Sequence, residues 1–351
     1  MLATGESLTA GYGRFGRPTL WLILVAVLIK RHLTNLSQLL LLGLTMSWVF
    51  PYRFAPAAAA WSVVFWAGGF VLMYRGRYRA VERWCRPLVV MMGAVFLGAA
   101  VMAPPRPAAV VRDLFHPSLG DTGGGLSAAF LLMAVIGSAA GALSNLKYPA
   151  FLHEKGWRDA GMLRLQRTDL LATALGLLTM GALVQSAAAA ALPPGVSLIN
   201  RPFELVSAFG AALGPMGSVL MALGLWAAVF TTYLAANTGY SLIAADIIGR
   251  LAGSRQTASP GERPAYRWVL LFFAISPLYA LWTDWSPLWL ALAASALELV
   301  LMPATAVLLL LLTIDRKRMG PLRNRRATNV ALALVAAVSL ALIARNVWER
   351  L

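Results

Sequence analysis

The sequence predicts an all-α polytopic membrane protein with about nine transmembrane helices. The chain is 59% hydrophobic and 13% charged. Its apolar residues gather into runs long enough to cross a hydrocarbon core about 30 Å thick, which takes about 20 helical residues. Its basic residues collect in alternate connections between those runs. That composition excludes a soluble fold. The net charge of +16 bears on membrane orientation rather than on a nucleic-acid partner, because the cations sit in short loops. Cys85 is the sole cysteine, so no intramolecular disulfide and no cysteine cluster for a metal can form. Residues 1–18 lack an apolar core and do not read as a secretory signal.

Spans are predicted at 19–49, 57–74, 87–103, 126–150, 169–192, 214–247, 268–283, 286–314 and 327–346. With the N-terminus in the cytoplasm, 21 of the 30 Lys and Arg lie inside, in the connections around Arg14, Arg75–Arg86, Lys155–Arg167, Arg250–Arg267 and Arg316–Arg326. Six lie outside: Arg53, Arg106, Arg112, Arg201, Arg345 and Arg350. This bias predicts a multi-pass protein of the bacterial inner membrane, N-terminus inside and C-terminus outside. Lys30, Arg31 and Lys147 fall within spans.

In the first span, Lys30, Arg31, His32, Thr34, Asn35, Ser37 and Gln38 interrupt the apolar run, and Arg31, Asn35 and Gln38 share one helical face. They line a watery path in which His32 relays protons, or they mark where a long tilted helix enters the interface. The second and third spans flank a basic loop, 75–86. The fourth span is the most informative: Gly137, Ser138, Gly141, Ser144, Asn145, Lys147 and Pro149 break an otherwise apolar stretch. Gly137 and Gly141 form a small-xxx-small pair that permits close helix packing. Taken with Ser144, Asn145 and Pro149, they also predict a broken helix, and backbone freed at membrane depth survives only in protein or beside a cavity. In that reading carbonyls near Gly137–Gly141 and the side chains of Ser144 and Asn145 face a substrate. Lys147 repels a dication there, unless it snorkels to the inner surface.

The outer connections 104–125 and 193–213 are rich in Pro, Gly and small residues, with a short interfacial helix at 203–213. In the span 214–247, Thr231, Thr232, Asn237, Thr238 and Tyr240 form a polar streak ending in Asp246. Most such groups only join helix to helix; Asn237 is the pore-lining candidate. Glu298 is the one carboxylate deep within a span, and it is read either as a cation ligand and proton carrier or as a structural group. The structural form is a neutral carboxyl, or an ion pair with Lys30, Arg31 or Lys147. His116 and His153 read as surface residues. Without H-E-x-x-H or paired carboxylates, no enzyme active site is visible and no cofactor is implied.

The stretches LATGES at Leu2–Ser7 with GYGRFGR following, GRYRAVER at Gly76–Arg83, and SNLKYPAFLHEKGWRD at Ser144–Asp159 resemble divergent bacterial members of the Nramp family of divalent-metal transporters. The resemblance implies a partial leucine-transporter-like inverted-repeat fold. Its parts are an incomplete first repeat of three spans at 1–125, a second of five spans at 126–314, and an extra span at 327–346. It places LATGES at the end of the family's second helix, so two helices precede the chain's first span in the family pattern. The family's Asp-Pro-Gly-Asn metal motif is absent from this chain. At the methionine of its Met-Pro-His motif stands Ala142 in one register and Leu146 in the other. Neither supplies sulfur, so a bound dication is held by oxygen, as Mg²⁺ is more readily than Mn²⁺.

The resemblance implies a secondary transporter moving a divalent metal cation, with protons as the candidate coupling ion. The ion-site candidates are Gly137, Ser138, Gly141, Ser144, Asn145, Asn237 and Glu298; the proton-path candidates are His32 and Glu298. A carrier of a small organic solute, with Lys147 where a cation sits elsewhere, is one alternative. A non-transporting remnant is the other.

Overall fold

The computed structural model of the chain describes residues 6–50, 57–102, 104, 115, 127–157, 159–191, 204–253 and 262–349. Among them no strand occurs, and nine helical stretches are long and apolar enough to cross a membrane. In chain order the helices are α1 (Leu8–Gly13), α2 (Arg17–Val49), α3 (Ala57–Met102), α4 (Ala128–Ala140), α5 (Lys147–Glu154) and α6 (Leu163–Ala191). There come next α7 (Glu204–Leu213), α8 (Pro215–Leu251), α9 (Pro264–Ile275), α10 (Pro287–Ile314) and α11 (Arg326–Trp348). The short helix predicted at 203–213 is α7. His116 and most of the 104–125 connection lie outside the described residues.

The starts of these helices follow from local chemistry. Pro begins α8, α9 and α10, where its missing N–H is no loss and its fixed φ suits the first turn. Ser127 and Ser286 accept from the backbone N–H of Phe130 and Trp289 at 3.1 and 3.3 Å, capping α4 and α10.

The stretch 75–86, predicted as a loop, is almost all helical: α3 consists of two arms, Ala57–Arg75 and Tyr78–Met102. Phe65 packs edge-on against Trp226 and Phe230, and Trp66 stacks on Tyr233. Farther along, Cys85 lies against the Thr231 carbonyl and Val95 against Gly224. The two halves therefore meet α8 in opposite order, so the chain reverses near 76–77 and both arms flank the same helix. A helical start for the second arm accommodates its charges, since Glu82 pairs with Arg86 at 2.8 Å across one turn, and long Arg stems reach the membrane surface.

Helix α8 is the central pillar. Every residue from Ala236 to Ile247 is buried, as befits a helix enclosed on all sides. Helix α2 runs antiparallel to it: Arg17 Nη2 donates to the Leu251 carbonyl at 2.6 Å and Asn35 Nδ2 to Asn237 at 3.2 Å. Helix α10 is also antiparallel to α2, with Ser37 Oγ donating to the Pro287 carbonyl at 2.7 Å and Gly11 lying against Leu312. Through these contacts the ends that carry Arg17, Arg250 and, beyond Leu312, Arg316 share one face of the bundle. On that face Asp246 joins three segments. Its carboxylate accepts from Ser7 Oγ at 2.9 Å, from Thr9, from Arg250 Nε at 3.1 Å and from Arg263 Nη1 at 3.0 Å. By contrast, α6 is exposed or only partly buried over Leu163–Ser186, meeting α3 where Met180 approaches Gly93.

Candidate substrate site at the broken helix

Helix α4 ends at Ala140. Gly141 then takes φ +45°, Ala142 and Leu143 form a turn, Ser144–Leu146 form one 3-10 turn, and α5 begins at Lys147. The left-handed φ is one that glycine adopts without a Cβ penalty. A methyl group added there would also meet Glu298 Oε2 at 2.8 Å. The break is thus built around the carboxylate of α10.

Glu298 is 2% exposed and its Oε1 is crowded with donors. Ser144 Oγ donates to it at 2.8 Å and Tyr240 Oη at 3.1 Å, while Lys30 Nζ forms a buried ion pair with it. Lys30 Nζ also donates to Tyr240 Oη at 3.0 Å. Tyr240 carries two cations near its ring, Lys30 Nζ at 4.9 Å and Lys147 Nζ at 4.7 Å from the centroid, where the π face attracts positive charge. Gly239 leaves room for the Lys147 stem, whose Cγ and Cδ lie 2.9 Å from where a Cβ would stand. Three helices and the break thereby converge on one carboxylate.

Beside this network, Arg31 is 0% exposed. Its Nε donates to Asn237 Oδ1 at 2.7 Å and its Nη2 to Gln38 Oε1. Asn35 donates to the same Asn237 oxygen and to the Phe273 carbonyl at 3.0 Å. Arg31, Asn35 and Gln38 do share one face, and it packs on α8. A cavity of about 380 Å³ opens beside them, lined by Lys30, Arg31, Ser144, Lys147, Glu298 and small residues of α4, α8 and α10.

The sequence-predicted residues divide. Ser144, Ser138 and Glu298 line the cavity, and Gly141 abuts Glu298. Gly137 does not line it: a Cβ there would collide with the Ser295 carbonyl of α10, so its smallness serves helix packing. Asn145, expected to face the substrate, is not among the residues that line the cavity. Its Nδ2 donates to the Ala140 carbonyl at 2.7 Å, and the side chain is exposed. It closes the frayed end of α4, one of whose last carbonyls lacks a helical donor. Asn237 orients Arg31 rather than lining the cavity. His32 turns away toward α9 and the turn at its C-terminal end, with Nδ1 2.9 Å from Ser276 Oγ and Nε2 3.1 Å from Tyr279 Oη. Ala142 and Leu146, at the two methionine registers, are buried in apolar clusters. The residue not singled out from the sequence as a site member is Tyr240; its position three residues after Asn237, on the same helical face, is the signal that points to it.

Among the described residues no group of three or more His, Cys, Asp or Glu is arranged to hold a metal ion. A dication at Glu298 would displace Lys30 and sit near Lys147 and Arg31.

Fold and site together define a polytopic membrane protein in which an interrupted helix borders a cavity lined by three cations and one carboxylate. The chain belongs to the Nramp family: the family described as natural resistance-associated macrophage protein-like matches residues 2–349. It is also 26% identical, over 96% of its own length and 74% of the relative's, to a protein of Deinococcus radiodurans named divalent metal cation transporter MntH.

Proposed function

We propose that this chain is a secondary transporter of the Nramp type, resident in the bacterial inner membrane with its basic face inward, that carries a small ion through the cavity at the α4–α5 break. The observation that carries this reading is the break itself, with Gly141 at positive φ against the buried carboxylate of Glu298. Kinship with the Deinococcus protein makes a divalent metal cation the first cargo to test. Glu298, Ser144 and freed carbonyls near Gly141 would supply oxygen ligands, which suit Mg²⁺ and do not select soft metals. Protonation of Glu298 would release Lys30, so the pair is the candidate coupling device; His32, held on Ser276 and Tyr279, stands apart from it.

A second reading, a small anionic or zwitterionic solute, is favoured by one observation: Lys30, Arg31 and Lys147 line the same cavity as the single carboxylate. Uptake of Mn²⁺ and Mg²⁺ by proteoliposomes separates the two. Divalent transport predicts uptake of both ions, reduced at least tenfold in Glu298→Gln. No uptake of either ion, or full uptake in Glu298→Gln, overturns it.

A further inference from the structure

Arg31 Nη1 is buried and has no hydrogen-bond partner among the described residues. The other nitrogens of the same guanidinium are fixed by Asn237 and Gln38, and Asn237 is itself braced by Asn35. The free edge is therefore held in place by its surroundings rather than by chance rotation. Lys147 Nζ, on the opposing broken helix, lies over the Tyr240 ring. Both side chains line the 380 Å³ cavity.

Its ionisable lining is three cations, Lys30, Arg31 and Lys147, against one carboxylate that already pairs with Lys30. A guanidinium stays charged under all ordinary conditions, and an uncompensated charge removed from water costs several kcal/mol even after relaxation. Tyrosine faces soften that cost only in part. The cavity has room for a group of several heavy atoms, since a water's share of liquid volume is about 30 Å³.

We propose that this cavity binds a small oxyanion, a short carboxylate or an inorganic one, between Arg31 Nη1 and Lys147 Nζ. The inference rests on the second reading above, a small anionic or zwitterionic solute as cargo, and names the donors that would hold it. A single charge-assisted pair of donors from two different helices would also link occupancy to the position of α5 against α2 and α8.

The test uses the full chain purified in detergent, titrated with acetate and, separately, with sulfate at constant ionic strength made up with chloride, while thermal unfolding is followed. Saturable stabilisation is expected with at least one probe. Lys147→Met, which keeps the length of the stem and removes the charge, should weaken it tenfold or more; Arg31→Gln should do the same if that variant folds; Arg326→Gln, an exposed cation, should leave it unchanged. A shift of equal size in Lys147→Met and the unaltered chain, or no saturable shift with either probe, overturns the proposal. Anion binding with no Mn²⁺ or Mg²⁺ flux would retain this inference and remove the divalent reading, and divalent flux without anion binding would do the reverse.

Discussion

Lys30 of α2 and Glu298 of α10 form an ion pair near the middle of their helices, closed over by Ser144 of the broken helix and Tyr240 of the central one. Little of either side chain reaches the molecular surface, since Lys30 is 8% and Glu298 2% exposed. Each is tolerable because the other is present.

The pair should therefore behave as a unit. Glu298→Gln and Lys30→Met should each lower stability by about 3–5 kcal/mol, the range for stranding one member of a buried pair. The double variant should lose much less than the sum of the two. Thermal unfolding of the four purified proteins checks this, and additive losses would show that the two side chains are independent.

Gly141→Ala should be harmful on two counts. The positive φ costs a non-glycine residue about 1–3 kcal/mol, and the new methyl group meets Glu298 Oε2 at 2.8 Å. Ala140→Gly, one residue earlier and within α4, should cost no more than about 1 kcal/mol. Comparable melting temperatures for the two variants would mean that the break does not depend on Gly141.

Much of this architecture is legible in the sequence, and the reasons are physical. Hydropathy marks the spans because the bilayer demands long apolar helices, and Gly141 with Ser144 and Pro149 marks the break because lipid does not forgive such residues in a continuous helix. The short helix at 204–213 is legible from its amphipathic pattern. The helical course of 78–86 is not, because its arginines resemble a loop until the i, i+4 pairing of Arg86 with Glu82 is seen. Sequence also offers Glu298 three cations, Lys30, Arg31 and Lys147, with no means of choosing; only the antiparallel register of α2 against α10 brings Lys30 to it. The bond of Asn145 to the Ala140 carbonyl is not legible for a related reason, since an amide beside a helix break can serve the backbone as readily as a substrate.

The shared basic face yields a topological prediction. In a Cys85→Ser background, cysteines at Arg164 and Arg323 should be labelled only from the cytoplasmic side, and a cysteine at Trp285 only from the other. Labelling of Arg164→Cys and Arg323→Cys from opposite sides would contradict the alternation of spans.

The most direct measurement fills the cavity and leaves the ion network alone. Thr232 lines the cavity, and its hydroxyl donates to the Ala228 carbonyl of its own helix. Proteoliposomes bearing the unaltered chain or Thr232→Trp are to be assayed for uptake of Mn²⁺, Mg²⁺, acetate and sulfate. The expected result is uptake of at least one of these by the unaltered chain, lost tenfold or more in a Thr232→Trp protein that retains its melting temperature; full uptake by Thr232→Trp, or uptake of none of the four by the unaltered chain, would contradict a cargo path through the α4–α5 break.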